Sequence, residues 1–170
     1  MRTTILVMAL WLAGCTGIPE NVEPVGDFNL QRYLGQWYEI ARLDHSFERG
    51  LSHVTATYSL REDGGVRVTN RGYSDEKLQW KEAEGKAYFV QDPDVGYLKV
   101  SFFGPFYGAY VILDLDHTGY QYALVSGPNK SYLWILARTS TLEPALVERL
   151  VAKSSALGYD TEQLIFVDQR

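Results

Sequence analysis

The sequence predicts an all-β fold: an eight-stranded antiparallel up-and-down barrel with a C-terminal α-helix packed on its outside and a short ninth strand. Three observations predict it. Strand-like runs recur along the 170-residue chain and are separated by turn signals such as Glu62-Asp63-Gly64-Gly65. Polar and apolar residues alternate within several of these runs. A single apolar stripe with helical spacing follows the last long run. Short turns between consecutive strands are typical of such a meander.

The eight barrel strands are predicted from runs of β-branched and aromatic residues between turns. They cover residues 36–42, 53–60, 66–73, 79–89, 97–102, 107–114, 120–126 and 132–138. In the fourth run Glu82 and Glu84 share one face, while Gly85 and Ala87 share the other. The charged outer face argues against a membrane-spanning barrel, whose outside must be apolar. Small inward residues favour a ligand cavity over a solid core.

The helix is predicted directly after the last barrel strand. Ser140 and Glu143 fit a capping box, and Pro144 suits the first turn. The apolar stripe consists of Leu146, Val147, Leu150, Val151 and Leu157. Gly158 can end the helix. Residues 164–167 then predict the short ninth strand.

Composition limits the classes of function. Twelve Tyr, seven Phe and four Trp favour strands or a large apolar pocket. The 16 basic and 21 acidic residues give no electrostatic footprint for nucleic acid. The chain has one cysteine, which excludes an intrachain disulfide and a multi-cysteine zinc site.

The N-terminus predicts export and anchoring. Arg2 precedes the apolar run of residues 5–13, which is too short to span a bilayer but suits a signal peptide. The segment Leu12-Ala13-Gly14-Cys15 resembles the lipobox of bacterial lipoproteins. That resemblance implies that residues 1–14 are a signal peptide and that Cys15 carries a diacylglyceryl group and an acyl group such as palmitate. Because Thr16 follows the cysteine, it also implies a location on the periplasmic side of the outer membrane. A plain secretory peptide with an incidental cysteine is the alternative.

The mature chain is predicted to begin with a flexible tether. Residues 15–27 contain Gly17, Pro19, Pro24 and Gly26 with little periodicity. The folded domain is therefore expected over residues 28–170.

Three motifs in chain order resemble the lipocalin family. Gly35-Gln36-Trp37 resembles the G-x-W signature that opens the lipocalin barrel. Asp114-Leu115-Asp116, followed by Tyr120, is similar to the second lipocalin region, although its usual Thr-Asp-Tyr is altered. Arg138 matches the family's arginine, which packs across the tryptophan. The stretches WYEIARLDHSFERG and YLWILART, together with the lipobox, resemble the bacterial outer-membrane lipocalins related to apolipoprotein D.

The resemblance implies a lipocalin barrel that stores or transports fatty acids or lysophospholipids, in membrane maintenance or stress. It also implies that Gly35, Trp37 and Arg138 form a structural barrel floor. Inward parity, propagated from Trp37 and Arg138, predicts the cavity lining: Ala41, Val54, Ala56, Tyr58, Val68, Asn70, Ala87, Val100, Phe102, Tyr110, Ile112, Tyr132, Trp134 and Leu136. We expect the Tyr hydroxyls and Asn70 to contact a lipid headgroup. Glu39 is either hydrogen-bonded near the closed end or a ligand contact.

The longest loop, residues 43–51, follows the first strand, where lipocalins carry a lid. This lid loop carries His45, Phe47, Glu48 and Arg49, which either gate the barrel or meet a membrane surface; a plain solvated loop is the alternative. A second aromatic group, Phe103, Phe106 and Tyr107, is expected at the rim. It suits a partner or a lipid surface, or packs into the barrel mouth.

Two other functions stay open. One is a membrane-anchored interaction module that uses the aromatic rim, with incidental lipid binding. The other is a lipid-modifying enzyme, for which no nucleophile is evident, because the lipocalin-type isomerase uses a cavity cysteine and Cys15 is assigned to the anchor. His45, His53 and His117 lack zinc spacing. We therefore predict no catalytic residue, metal or cofactor, no nucleic-acid partner, and either a monomer or a homodimer.

Overall fold

The computed structural model describes residues 16–170. In this part of the chain lie two α-helices, nine strands and a 3-10 turn over Thr161–Gln163. The elements are α1 (Leu30–Tyr33), β1 (Gly35–Arg42), β2 (Leu51–Leu60), β3 (Val66–Ser74), β4 (Gln79–Phe89), β5 (Tyr97–Phe103), β6 (Phe106–Leu115), β7 (Tyr122–Ser126), β8 (Leu133–Ala137), α2 (Pro144–Ala156) and β9 (Ile165–Phe166). The predicted signal peptide and Cys15 lie outside the described residues.

The strands β1 to β8 form a closed antiparallel barrel. Each strand pairs with the next in sequence, and β1 pairs with both β2 and β8. The predicted fold class is confirmed, and every predicted strand is present with shifts of a few residues at its ends. Among residues 16–170 no helix has the length and apolar character needed to cross a bilayer.

Because the strands alternate in direction, their loops gather at two ends. The closed end holds α1 and the loops that lead into β3, β5 and β7. The open end holds the lid loop and the loops that lead into β4, β6 and β8. Ala83 lies opposite Asn70 on the inner face near the open end and is nevertheless exposed, so solvent reaches the inside of the barrel there.

Apolar side chains form two layers, one on each side of the sheet. The inner cluster fills the barrel around Trp37, Tyr58, Val68 and Leu136. The outer cluster lies between the barrel and α2, with Leu150 of the helix completely buried in it. The stripe predicted for α2 therefore covers an apolar patch of the barrel wall, which the outward residues of β1 and β8 help to form.

The C-terminal end of α2 agrees with the prediction, whereas its N-terminal end does not. Glu143 occupies the N-cap position and its side chain makes no capping bond, so the capping box from Ser140 is wrong. The helix begins at Pro144, so Ser140 precedes the N-cap position and does not occupy the site from which a capping side chain bonds to the first N–H groups. At the other end Gly158 has a φ of 85°. The Gly158 N–H donates to the Ser155 carbonyl, and the Tyr159 N–H donates to the Ser154 carbonyl. This is a Schellman cap.

Residues 16–27 pack on the barrel, so the predicted flexible tether is wrong for this segment. Val22 is buried in the outer cluster. The Val25 N–H donates to the Ile112 carbonyl at 2.9 Å, and the Gly96 N–H donates to the Val25 carbonyl at 2.8 Å. The Tyr97 hydroxyl donates to the Thr16 carbonyl. The glycines and prolines indicated a mobile segment, but apolar side chains and strand-like backbone bonds fix it.

A second segment completes the barrel wall where β1 and β2 diverge. Their ladder covers Gly35 to Tyr38 of β1 and ends there. Beyond it, β9 pairs with Ala41 and Arg42, while the His53 N–H donates to the Asp168 carbonyl at 2.7 Å. The Gln169 side-chain amide donates to the Glu39 and Val54 carbonyls, both at 2.8 Å. Residues 165–169 therefore close this seam between the two strands.

Candidate functional site

The closed end of the barrel has a floor built on Trp37. This ring is completely buried, and its Nε1 donates to the Tyr33 carbonyl at 2.8 Å. The guanidinium carbon of Arg138 lies 3.9 Å from the ring centroid. The guanidinium donates to the main-chain carbonyls of Arg32, Tyr33, Gln36 and Tyr120 at 2.8 to 3.2 Å. Arg138 thus joins α1, β1 and the loop before β7 from one position.

Gly35 belongs to the same floor for a backbone reason. Its φ of 96° lies in the left-handed region that favours glycine. A Cβ here would lie 3.4 Å from Nη1 of Arg138. The three predicted floor residues therefore lie together at the closed end.

A narrow apolar cavity lies on the inner side of this floor. It is lined by Phe28, Leu30, Tyr33, Tyr58, Val66, Val68, Ala87, Leu98, Val100 and Tyr110, and its volume is about 10 Å³. A cavity of this size holds about one water molecule. A larger ligand must therefore displace side chains of the inner cluster.

Three tyrosine hydroxyls meet inside the barrel. Tyr110 lies in the middle, with its hydroxyl 2.7 Å from that of Tyr33 and 2.8 Å from that of Tyr58. Burial raises the pKa of all three hydroxyls; repulsion by Tyr58 adds to this effect at Tyr33, and repulsion by Tyr33 and Tyr58 adds to it at Tyr110. They are therefore neutral donors and acceptors within an apolar wall, as a lipid headgroup or carboxyl group could use.

Most of the predicted lining residues face the barrel interior. Tyr58, Val68, Ala87, Val100 and Tyr110 line the cavity itself. Ala56, Phe102, Ile112, Trp134 and Leu136 belong to the inner cluster beyond it. Asn70 lies between Ala56 and Ala83 on the inner face, and Val54 is buried beside Gly72.

Two predicted lining residues lie elsewhere. Ala41 is in the outer cluster, so its assignment to the cavity is wrong. A β-bulge between Glu39 and Ala41 reverses the alternation and turns Arg42 inward in place of Ala41. Tyr132 precedes β8 and packs at the open end, with ring centroids 5.8 Å from His45 and 6.1 Å from Trp134.

The prediction missed the part of the cavity wall that comes before β1. Phe28, Leu30 and Tyr33 line the cavity from α1 and the residue before its N-cap. Asn29 caps α1 by accepting from the Arg32 N–H. The amphipathic pattern of residues 29–34 was the available signal, because a short amphipathic helix beside a barrel end must bury its apolar face.

A buried polar cluster lies under the lid loop. Arg42 Nη1 donates to Glu39 Oε1 at 2.7 Å, and Nη2 donates to the carbonyls of Glu48 at 2.9 Å and Leu51 at 3.2 Å. The Glu48 carboxylate accepts from Trp134 Nε1 at 3.1 Å and lies 2.9 Å from His45 Nε2. We call Glu39, Arg42, His45, Glu48 and Trp134 the mouth cluster. Glu39 is hydrogen-bonded, as one alternative expected, but lies under the lid instead of at the closed end.

The pKa values of the two carboxyl groups of the mouth cluster are shifted in opposite directions. Burial, and then repulsion by Glu48, raise the pKa of Glu39 well above its ordinary value despite the attraction of Arg42. Burial alone would raise the pKa of Glu48 too, but hydrogen bonding to His45 and Trp134 outweighs it and lowers that pKa. A proton taken up by this pair therefore favours Glu39 over Glu48.

The open end also carries exposed apolar side chains. Phe103 is 80% exposed and Phe106 is 73% exposed, at the tip of the β5–β6 hairpin. Phe47 of the lid loop and Leu78 of the next loop are exposed as well. The predicted aromatic rim is therefore largely in solvent, except that Tyr107 is half-buried with Lys99 Nζ 5.1 Å from its ring centroid.

Within residues 16–170 no group of three or more His, Cys, Asp or Glu side chains is arranged to hold a metal ion. Asp114 bonds to Arg149 at 3.0 Å and to Lys153 at 2.8 Å, which ties β6 to α2. Asp116 accepts three N–H groups of its own turn. Both carboxylates have structural partners.

The sequence is similar to those of known proteins over most of its length. Residues 28–169 match a family model described as a lipocalin-like domain. The outer membrane lipoprotein Blc of Vibrio cholerae is 59% identical over 171 residues, which cover 100% of both chains. The protein of the same name from Escherichia coli K12 is 52% identical over 151 residues, covering 89% of this chain and 85% of the relative. Mouse apolipoprotein D is 34% identical over 152 residues, covering 84% and 78%.

The fold is also similar to solved structures. Insecticyanin from the tobacco hornworm Manduca sexta has a TM-score of 0.69 and 24% sequence identity, and the match covers 89% of this chain and 86% of that one. Lobster apocrustacyanin A1 has a TM-score of 0.64 and 21% identity, with 90% and 93% covered. These matches concern the fold alone.

Proposed function

Because this chain belongs to the lipocalin family, we propose that its barrel binds single-chain acyl lipids, fatty acids or lysophospholipids, and stores or transports them. The observation that carries the proposal is the apolar wall of the inner cavity, into which three neutral tyrosine hydroxyls project. An acyl chain gains roughly 0.8 kcal/mol for each CH₂ group that it buries. No chemical step is needed, so we propose a binding protein and not an enzyme.

Uptake requires that the cavity widen, because its volume is about 10 Å³. Val100, Phe102 and Tyr110 are half-buried, and the inner face is open to solvent at Ala83. We propose that a ligand enters between β4 and the lid loop and displaces these side chains towards the mouth. The hydroxyls of Tyr110 and its two partners, or the Asn70 amide, then bond to its polar groups.

We place the protein in the bacterial outer membrane, attached through lipid on Cys15. Relatives with 52% to 59% identity are named outer membrane lipoproteins, and the lipobox resemblance supports the same position. Membrane maintenance is the role that suits a lipid-binding barrel at this address.

Ligand extraction tests the proposal directly. The protein is purified from its native membrane, and the lipids that remain bound are identified by native mass spectrometry. We expect a one-to-one complex with a single-chain acyl lipid. After delipidation, added lysophospholipid or fatty acid should change the tryptophan fluorescence in a saturable way. An empty barrel that shows no saturable response to any acyl ligand would contradict the proposal.

One observation favours a second function. The exposed Phe103 and Phe106 suit an interaction module that binds a partner at the open end, with lipid binding incidental. In that case the purified protein retains a partner in stable stoichiometry and no lipid. Lipid content and partner content in the same mass spectrum distinguish the two functions.

A further inference from the structure

The lid loop is fastened to the barrel through buried charged groups. Arg42 of β1 donates to two carbonyls at the end of the loop, those of Glu48 and Leu51. The Glu48 carboxylate extends from the loop to Trp134 of β8. At 2% to 6% exposure, Glu39, Arg42, His45 and Glu48 lie far from solvent. Apolar packing is the usual way to seat a loop, so a fully buried set of charges under a lid requires an explanation.

With the His45 imidazole neutral, the charges of this cluster balance in one protonation state. With Glu39 neutral, the Arg42 guanidinium is balanced by the Glu48 carboxylate. With Glu39 ionised, two buried carboxylates share one guanidinium, and the cluster carries an excess negative charge that burial penalises. Glu39 is on the barrel wall, whereas Glu48 is on the lid loop. Outward movement of the lid therefore separates the two carboxylates and returns Glu48 to water.

We propose that Glu39 and Glu48, held against the single guanidinium of Arg42, form a proton-dependent latch that keeps the lid loop over the barrel mouth. The latch rests on the proposed function, since it regulates access to the same interior. Closure takes up a proton at Glu39, and loss of that proton releases the lid. The bonding of the cluster is also incomplete: within residues 16–170, Arg42 Nε and both ring nitrogens of His45 lack a hydrogen bond of good geometry, although His45 Nε2 lies 2.9 Å from the Glu48 carboxylate. Unpaired buried donors make the closed state less favourable, as expected of an element with two states.

The direction of the pH effect follows from the state of Glu39. Its pKa in the closed barrel is raised above the ordinary 4.5, because of burial and then Glu48. The closed state therefore binds this proton more tightly than an open state, and rising pH favours opening until the raised pKa is passed. Titration of Glu48 changes the stability of the closed lid in the opposite direction, because its pKa is lowered in the closed barrel. This effect is confined to acid pH, below the ordinary pKa of 4.5.

Other titratable groups face the cluster from the neighbouring elements. Burial, and then repulsion by Glu48 and Glu39, raise the pKa of Tyr58 of β2 despite its hydrogen bond to Tyr110, so this hydroxyl stays neutral. Asp44 and Arg49 of the lid loop pair with each other at 2.7 Å on the surface. The imidazole of His45 contacts Glu48 inside the cluster. The test must therefore separate Glu39 from both Asp44 and His45.

The Trp134 indole N–H reports on the latch without any ligand. Its ¹H–¹⁵N NMR signal, identified by its loss in Trp134→Phe, is followed in the purified full chain from about pH 5 to about pH 9. We expect a shift with rising pH in the wild type as the bond to Glu48 is released. Glu39→Gln keeps an acceptor for Arg42 but cannot ionise, so this shift should be lost. Asp44→Asn and His45→Gln should retain it.

The Trp37 indole, bonded to the Tyr33 carbonyl at the closed end, is the folding control in the same spectrum. If Glu39→Gln loses the Trp37 signal, Glu48→Gln replaces it, and the same loss of the pH-dependent shift is expected. An undiminished shift in the folded neutral variant, or a shift abolished by His45→Gln alone, would overturn the latch. Failure of every acyl ligand to bind would overturn the proposed function and leave this measurement intact.

Discussion

The guanidinium carbon of Arg138 lies 3.9 Å from the centroid of the Trp37 ring, and four main-chain carbonyls accept hydrogen bonds from the same guanidinium. We expect Arg138→Ala to lower the free energy of unfolding by about 2 to 4 kcal/mol, because partly buried carbonyls lose a charged donor. Urea denaturation measures this loss. Arg67→Ala is the control: Arg67 pairs with Glu84 at 3.3 Å on the surface, so its removal should cost less than about 1 kcal/mol. Equal losses in the two variants would show that the floor has no special role.

Adjacent positions of β2 test whether ligands occupy the interior. Ala56 belongs to the inner cluster, whereas Thr57 is exposed on the outer face. Ala56→Phe should abolish the fluorescence response to lysophospholipid, because the ring occupies the space that an acyl chain needs. The larger side chain should also cost about 1 to 3 kcal/mol of stability. Thr57→Phe should bind ligand as the wild type does. Normal binding by a folded Ala56→Phe variant would place the ligand outside the barrel.

The attachment of α2 to the barrel should depend on pH through Asp114. Burial alone would raise the pKa of Asp114, but hydrogen bonds from Arg149 and Lys153 outweigh it and lower that pKa. A lowered pKa contributes stability above the ordinary 3.8, and this contribution is lost as the pH falls through the lowered value. Asp114→Asn should therefore remove about 0.5 to 1 kcal/mol at neutral pH, a figure reduced for solvent screening, and flatten the acid side of the stability curve. Glu82→Gln on the exposed face of β4 should leave that curve unchanged.

The exposed hairpin tip should affect interactions and not folding. Phe103 and Phe106 are mostly in solvent, so the double variant Phe103→Ser and Phe106→Ser should change the free energy of unfolding by less than about 0.5 kcal/mol. If the open end contacts a lipid surface or a partner, sedimentation with vesicles or retention of the partner should fall while acyl-ligand affinity stays the same. Unchanged sedimentation and partner retention would exclude a role for the rim.

Sequence reasoning predicted the barrel because each strand carries its own alternation and its own turn signals. It located Tyr58, Val68 and Ala87 on the inner face because the ladder that joins β2, β3 and β4 is regular around them. It failed at Ala41 because a single extra residue in β1 reverses the alternation, and no local pattern marks that bulge.

The mouth cluster could not be predicted from the sequence, for a different reason. In the sequence His45, Glu48 and Arg49 are all polar residues of one loop. In the structure His45 and Glu48 are buried, whereas Arg49 is exposed. What distinguishes them is proximity to Arg42 and Trp134, which the bulge and the pairing of β1 with β8 create. Contacts between residues distant in sequence decide which polar side chains are buried.

The segment that fills the seam between β1 and β2, residues 165–169, is synthesised after all eight barrel strands. A polypeptide that emerges from the ribosome, or from an export channel, with its N-terminus first presents β1 to β8 before residues 165–169. Until those residues arrive, the carbonyls of Glu39 and Val54 lack the Gln169 amide that joins them. The wall can therefore be completed only after nearly the whole chain has passed through, and an interrupted translation product would expose the interior through a lateral slit.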